Sequence, residues 1–406
     1  MNKILTVTFN HFILLSLCLI TLFFLSIGYA ETAEQKPPIK LGMSASMTGG
    51  AAASGQSMKL GLQVYFDRIN HAGGIQGRKI EFIAMDDGYE PLRAAANLHK
   101  LIDKDQVLAI IGNNGTPAAV VAAPIVTESK IILFGARTGS ALLRKKPPDR
   151  YIFNVRASHA DEVEALIKGV LGSGIKPENI AFFSQNDAFG DSIYQGGMKA
   201  LAKEGFTGGD RLPYGRYDRN TLDVAAAFAR IVEQAKVPVK AFILGGVYAP
   251  NAQFIKLAKS EYPDAIFLAV SGLINPNDLT KDLEGRVFVS QVVPYPDSNL
   301  PAVIEYREDL KKYGGGAQPS FGSLEGYLVA KLFVMGLEKA ALSNKLNREG
   351  IVDVFESLNA VDVGIGIDIT YNKNDHIGLT NIWLSVFKDG KFERTNWPKT
   401  KEKVEH

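Results

Sequence analysis

Ile39-Lys40-Leu41-Gly42-Met43 opens a stretch, closing at Pro91, whose parts alternate in a way that decides the fold. The apolar run reads as a buried strand, and Ser44 to Ser57 as a polar, glycine-rich loop leading into a long amphipathic helix. Gly73-Gly74-Ile75-Gln76-Gly77-Arg78-Lys79 then turns the chain into a second strand that ends in Asp86-Asp87 and Gly88-Tyr89-Glu90-Pro91. In a parallel α/β sheet, ligands bind at the loops leaving the strands' carboxyl ends, where helix N-termini and unpaired amides converge. The first loop, with Ser46 and Thr48, is therefore a candidate binding wall.

Ahead of this stretch, Lys3 supplies a basic start, Phe12 to Ile27 is almost wholly apolar, and Gly28-Tyr29-Ala30 offers small residues. That is the pattern of a secretory signal peptide at residues 1–30, cleaved after Ala30 so that the mature chain starts at Glu31. The competing reading is an uncleaved anchor, since the apolar run approaches the roughly 17 residues that span a bilayer. Cys18, the one cysteine, lies inside the apolar run rather than closing it, which argues against lipid attachment there. A mature chain without cysteine has no disulfide and no thiolate metal site.

At 406 residues, 46% hydrophobic and 22% charged, the chain has ample core and suggests two domains. Its net charge of +2 leaves no basic footprint for nucleic acid. β-rich apolar runs recur at 80–85, 107–111, 131–134, 180–183, 239–244, 265–270, 287–292 and 382–387. Several are continuous, as in strands covered on both faces. Between them Met58, Leu62, Tyr65 and Ile69, and later Leu324, Leu328, Leu332 and Met335, repeat at helical spacing and read as core. Strand-helix repetition implies parallel sheets with right-handed crossovers.

Several motifs follow in order: Gly73 to Arg78 before a strand and Asp86-Asp87; Ile111-Gly112-Asn113-Asn114-Gly115-Thr116; Phe134-Gly135-Ala136-Arg137-Thr138-Gly139. Asn186-Asp187-Ala188-Phe189-Gly190-Asp191, Gly245-Gly246-Val247-Tyr248 and Ser323-Leu324-Glu325-Gly326-Tyr327 complete the series. Their order closely resembles the branched-chain amino-acid (Leu/Ile/Val-binding) type of periplasmic substrate-binding protein. The resemblance implies an α/β fold of two Rossmann-like lobes with parallel-rich sheets and a three-crossover hinge. One lobe would comprise 37–156 plus 293–378 and the other 157–292 plus 379–400, with 401–406 a frayed tail. It further implies a monomeric periplasmic protein, without cofactor or reaction of its own, that hands a small solute to an inner-membrane ABC permease. The solute would be polar-headed, either amino-acid-like or an aromatic or branched carboxylate. A ligand-sensing module of the same fold, acting on a receptor or regulator, is the alternative class.

Carried over residue by residue, the resemblance places Asn114 and Thr116 in the second binding loop, and Ala136 and Thr138 in the third. There a hydroxyl and backbone groups would hold a ligand carboxylate. The logic is sound physically, because a carboxylate leaving water needs charge-assisted hydrogen bonds; the alternative for each threonine is a helix N-cap or turn bond. Ser271, in Ala269-Val270-Ser271-Gly272, stands where amino-acid binders of this family place a carboxylate for the ligand ammonium. A neutral hydroxyl cannot neutralise a buried cation. The preferred solute is therefore expected to lack an obligatory α-amino group. Tyr89 and Gly115 hold the positions of the family's disulfide, and the tyrosine ring is expected to pack over the glycine as a brace, with a ligand contact as the alternative. Arg137 either faces the cleft and holds a carboxylate bidentately, or points outward or pairs with an acidic neighbour across the lobes. Phe189 and Tyr248 either wall the pocket or pack their own loops.

The sequence contains no P-loop, nucleophile elbow or His-Glu-x-x-His pattern, and its six histidines show no metal-ligand spacing. Asp86 and Asp87 are expected to point to opposite sides and to cap the following turn and helix. Trp383 and Trp397 read as packing residues.

Overall fold

The apolar runs, too continuous for sheets with one wet face, become two covered sheets in the computed structural model, which describes residues 36–397. The expected signal segment with Cys18 and the charged tail from Lys399 lie outside the described residues. The first sheet is wholly parallel: β1 (Ile39–Ala45), β2 (Ile80–Asp86), β3 (Ala109–Ile111), β4 (Leu133–Phe134) and β5 (Ile152–Phe153), in the order β2-β1-β3-β4-β5. Its helices are α1 (Ala52–His71), α2 (Pro91–His99) and α3 (Thr116–Glu128).

The chain then crosses to a second sheet through α4 (His159–Gly172). There β6 (Ile180–Gln185), β7 (Tyr214–Tyr217), β8 (Ala241–Gly245), β9 (Ile266–Ala269) and β10 (Val287–Gln291) alternate with α5 (Ala188–Lys203), α6 (Ala225–Gln234) and α7 (Tyr248–Glu261). It returns to the first lobe for α8 (Pro301–Tyr313), α9 (Phe321–Leu342), α10 (Arg348–Phe355) and a short hairpin of β11 (Val361–Asp362) and β12 (Asp368–Ile369). A third crossing ends in the antiparallel pair β13 (Trp383–Lys388) and β14 (Lys391–Arg394). The second sheet runs β14-β13-β10-β9-β8-β6-β7. Its parallel part repeats the winding of the first sheet, a duplication that no sequence period announces. In that winding the order reverses beside the first strand, and the crevice at its carboxyl end is where ligands bind.

Each sheet is sandwiched. The first packs α1, α8, α9 and α10 on one face and α2 and α3 on the other. The second packs α6 and α7 against one face and α4 and α5 against the other. Phe134 lies among Phe153, Phe333 and Phe355 with ring centroids 4.6–6.5 Å apart, and burial of each such ring contributes about 1.5–3 kcal/mol. The α1 and α9 backbones touch closely, because a Cβ on Gly61 would collide with the Ser323 carbonyl. Trp397 stacks on Phe288 at 5.1 Å, a packing role. No helix of the described residues is long and apolar enough to cross a membrane.

Candidate functional site

The two carboxylates at the end of β2 organise the loops around the first strand. Asp86 accepts from the Met47 amide (2.8 Å), the Thr48 amide (3.2 Å) and hydroxyl (2.7 Å), and the Gly88 amide (2.9 Å). Burial works to raise its pKa, but these hydrogen bonds outweigh it and bring the carboxyl down to about 2. Asp87 turns the other way, to the Ser44 hydroxyl (2.8 Å) and the Tyr89 amide (2.9 Å). The pair thus caps the turn as expected, but not the helix: α2 has no side-chain cap.

This bracing corrects the reading of the first loop. Thr48 is exposed and engaged with Asp86, while Ser46 is buried behind the loop, donating to Ala51 O (3.0 Å) and accepting from Asn114 Nδ2 (2.6 Å). Neither lines the cavity that lies between the lobes; Ser54, one turn into α1, does. Gly88 and Tyr89 are both left-handed (φ 59° and 64°), which lays the Tyr89 ring on Gly115. Gly115 itself has φ 93°, and a Cβ there would strike the ring. The expected packing of Tyr89 on Gly115 is present, and the same ring also lines the cavity.

The cavity holds about 40 Å³ and is walled by the carboxyl-end loops of both sheets. Thr116 and Thr138 stand on adjacent loops with their hydroxyl oxygens 2.7 Å apart. Thr116 is the first residue of α3, whose cap is Gly115 and which has no side-chain cap, so the threonine is not an N-cap. The uncapped helix start leaves amides and the positive dipole end at the cavity wall. Ser140 N donates to Thr138 Oγ1 at 3.2 Å, and Arg144 clamps the loop by donating to the carbonyls of Thr138 (3.2 Å), Ser140 (2.9 Å) and Arg156 (3.0 Å). Ala136 is buried but outside the lining; its carbonyl accepts from the Thr138 amide at 2.8 Å, a supporting rather than a contacting position. Asn114 joins the wall and accepts from Ser54 Oγ at 2.8 Å. Phe189 and Tyr248 face them from the second lobe, with Val247, Val270 and Leu273. Burial pushes the Tyr248 phenol up in pKa.

Arg137 is 6% exposed and lines the cavity, which excludes the outward orientation. Its Nη1 donates to Gly322 O (3.2 Å) and pairs with Glu325 (3.5 Å), an acid of its own lobe rather than one across the cleft. Beside it Arg156, which follows β5, bonds Glu162 (2.7 Å), Glu325 (3.3 Å) and the Ser271 hydroxyl. Glu162 also accepts from the Ser271 amide (2.7 Å) and Ser290 Oγ (2.9 Å). Ser271 does reach the wall, with both its polar groups committed to this network. Such a buried quartet is weak evidence for stability, because desolvation offsets attraction; removing one member leaves an exposed cost.

His159 completes the junction. Gly139 N donates to its Nε2 at 2.9 Å, which assigns the ring hydrogen to Nδ1 and directs it to Ser192 Oγ at 2.7 Å. Burial, then Arg156 and Arg144, hold its pKa well below the ordinary histidine value, so the ring is neutral. Sequence reasoning missed Ser54, Arg156, His159 and Glu162. Ser158 and Asp161 form a capping box at the start of α4, a readable signal that Arg156 lies on a strand-to-helix loop. Among the described residues no group of three or more His, Cys, Asp or Glu is placed to hold a metal ion. The arrangement offers hydroxyls, guanidinium groups and a helix start to the oxygens of a small anion, and aromatic and aliphatic walls to its body.

Comparison with known proteins places this geometry. The family model described as periplasmic binding protein matches residues 38–391. A solved structure of a possible leucine/isoleucine/valine-binding protein from Rhodopirellula baltica SH 1 is 36% identical, covers 91% of this chain and 98% of its own, and superposes with a TM-score of 0.84. The Leu/Ile/Val-binding protein homolog 3 of Brucella melitensis biotype 1 is 22% identical over 90% of this chain and 95% of its own length. A fatty acid ABC transporter substrate-binding protein from Thermomonospora curvata is 22% identical, with 90% and 93% of the two chains covered and a TM-score of 0.76, a likeness of fold.

Proposed function

The chain belongs to the periplasmic binding protein family, of the branched-chain amino-acid type, and we propose that it is the extracytoplasmic component of an ABC uptake transporter that captures a small carboxylate-headed solute between its lobes. The observation that carries this is the juxtaposition, in a cavity closed by both sheets, of Thr116, Thr138, Arg137 and the uncapped start of α3. Thr116 and Thr138 hold the carboxylate, and Asn114, Phe189, Tyr248 and the wall at Ser271 surround the rest. The solute is an amino-acid-like, aromatic or branched carboxylate; the names of the similar proteins, which range from leucine/isoleucine/valine to fatty acid, fit this span.

In this reading the lobes are 37–156 with 293–378 and 157–292 with 379–400, and they open about the three crossovers to admit solute. The protein is exported, cleaved after Ala30, monomeric in the periplasm, and delivers to an inner-membrane permease. Small-angle scattering with and without a carboxylate that binds by calorimetry is the test. A more compact particle with solute is expected, and an unchanged profile at saturation overturns capture by closure. Loss of uptake of that solute on deleting the gene, with wild-type uptake of others, is expected of the transport role.

A further inference from the structure

Resting on the carboxylate reading above, we infer that the cavity accepts solutes whose only charge is the carboxylate and discriminates against those that also carry an ammonium group. The two ionised side chains that line the cavity, Arg137 and Arg156, are both guanidinium groups, and no Asp or Glu is part of the lining. The buried carboxylates behind them are committed. Glu162 takes Arg156, the Ser271 amide and the Ser290 hydroxyl, and Glu325 faces both arginines. Ser271 gives its amide and hydroxyl to Glu162 and receives Arg156.

Two guanidinium groups against two carboxylates make a neutral set, yet its positive members are the ones turned to the cavity. An ammonium brought into this space loses its water, meets like charge and finds only neutral oxygens, of which Asn114 Oδ1 already accepts from Ser54. A buried cation without a counter-charge is strongly disfavoured. A carboxylate gains hydroxyls and guanidinium at the same surface. Arg156 is the specificity-determining residue, because its bonds to Glu162 and Ser271 keep the Glu162 carboxylate from the solute.

The experiment is calorimetry of the mature chain with matched pairs that differ only in the amino group: L-leucine and 4-methylpentanoate, L-valine and 3-methylbutanoate, L-phenylalanine and 3-phenylpropanoate. In every pair that binds, the acid lacking the amino group is expected to bind at least about tenfold tighter, which is about 1.4 kcal/mol. Equal or tighter binding of the amino acids overturns the inference and leaves the carboxylate reading standing. No binding by any member overturns both. In Arg156→Gln, Glu162 is released toward the cavity and the preference is expected to shrink at least threefold. An unchanged preference in a variant with native circular dichroism overturns the role of Arg156, and the wild-type pairs decide the rest if that variant does not fold.

Discussion

Arg219 Nη2 donates to Glu90 Oε2 at 2.9 Å, joining the loop after β7 in one lobe to the loop after β2 in the other. Asn220 Nδ2 adds bonds to Glu90 Oε1 (2.6 Å) and Gly88 O (3.3 Å). Because Tyr89, between Gly88 and Glu90, lines the cavity, one turn carries both a cavity wall and a contact between the lobes. Both partners are partly exposed, so the pair contributes about 0.2–1 kcal/mol. Glu90→Gln is expected to weaken solute binding by up to about fivefold, seen as faster dissociation in stopped-flow fluorescence. An unchanged dissociation rate would separate this contact from closure.

Gly115→Ala should be among the most damaging single changes at the site. It forces a side chain into φ 93° and against the Tyr89 ring, so thermal or urea denaturation should show a loss above about 1 kcal/mol. Adding Tyr89→Ala should relieve the collision but not the backbone strain, giving partial recovery. Full stability in the single variant would contradict the contact.

The two threonines of the neighbouring loops should separate cleanly. On the proposed reading Thr138→Ala removes a charge-assisted hydrogen bond to the solute and is expected to lower affinity for a carboxylate by about 1.5–3 kcal/mol, roughly ten- to over a hundredfold. Thr48→Ala takes a bond from Asp86 and should lower stability by about 1 kcal/mol while leaving affinity nearly unchanged. Calorimetry and denaturation of both variants check the pair, and equal affinity losses would restore Thr48 to the binding wall.

Much of the fold was legible because its strands are buried on both faces: the runs at 80–85, 180–183 and 287–292 each fall on a strand. The strands not read, β5, β7, β11, β12 and β14, span two to four residues, too few for a period to register. The cavity lining was legible where position follows the loop, as at Thr116 and Thr138. It was illegible where placement depends on side-chain direction: Ser46 and Thr48 turned away, Arg137 turned in. Arg156 and Glu162 pair across six positions, through a bend between a two-residue strand and the Ser158/Asp161 capping box, which marks the loop but not the pairing.

The neutral His159 gives the fold a pH dependence whose sign is fixed. Its folded pKa lies below the unfolded value of about 6.5, so between the two the unfolded chain binds more protons and stability rises with pH. The contribution is complete above about pH 6.5 and falls away as the pH drops below it. His376, which burial also holds low, adds to the same slope. Melting temperatures measured from pH 7 to pH 5 should decline, and His159→Gln, able to accept from Gly139 and donate to Ser192, should flatten part of the decline. An identical slope in that variant would mean that His159 is not held neutral.

The central claim is that the cavity between the lobes carries a small carboxylate. Mass spectrometry of the small molecules released by denaturing protein isolated from its native cells tests it most directly. One organic carboxylate, recovered in near-stoichiometric amount and lost from the Thr138→Ala protein, is the expected result. Stoichiometric recovery of a sugar, a polyamine or another molecule without a carboxylate would contradict it.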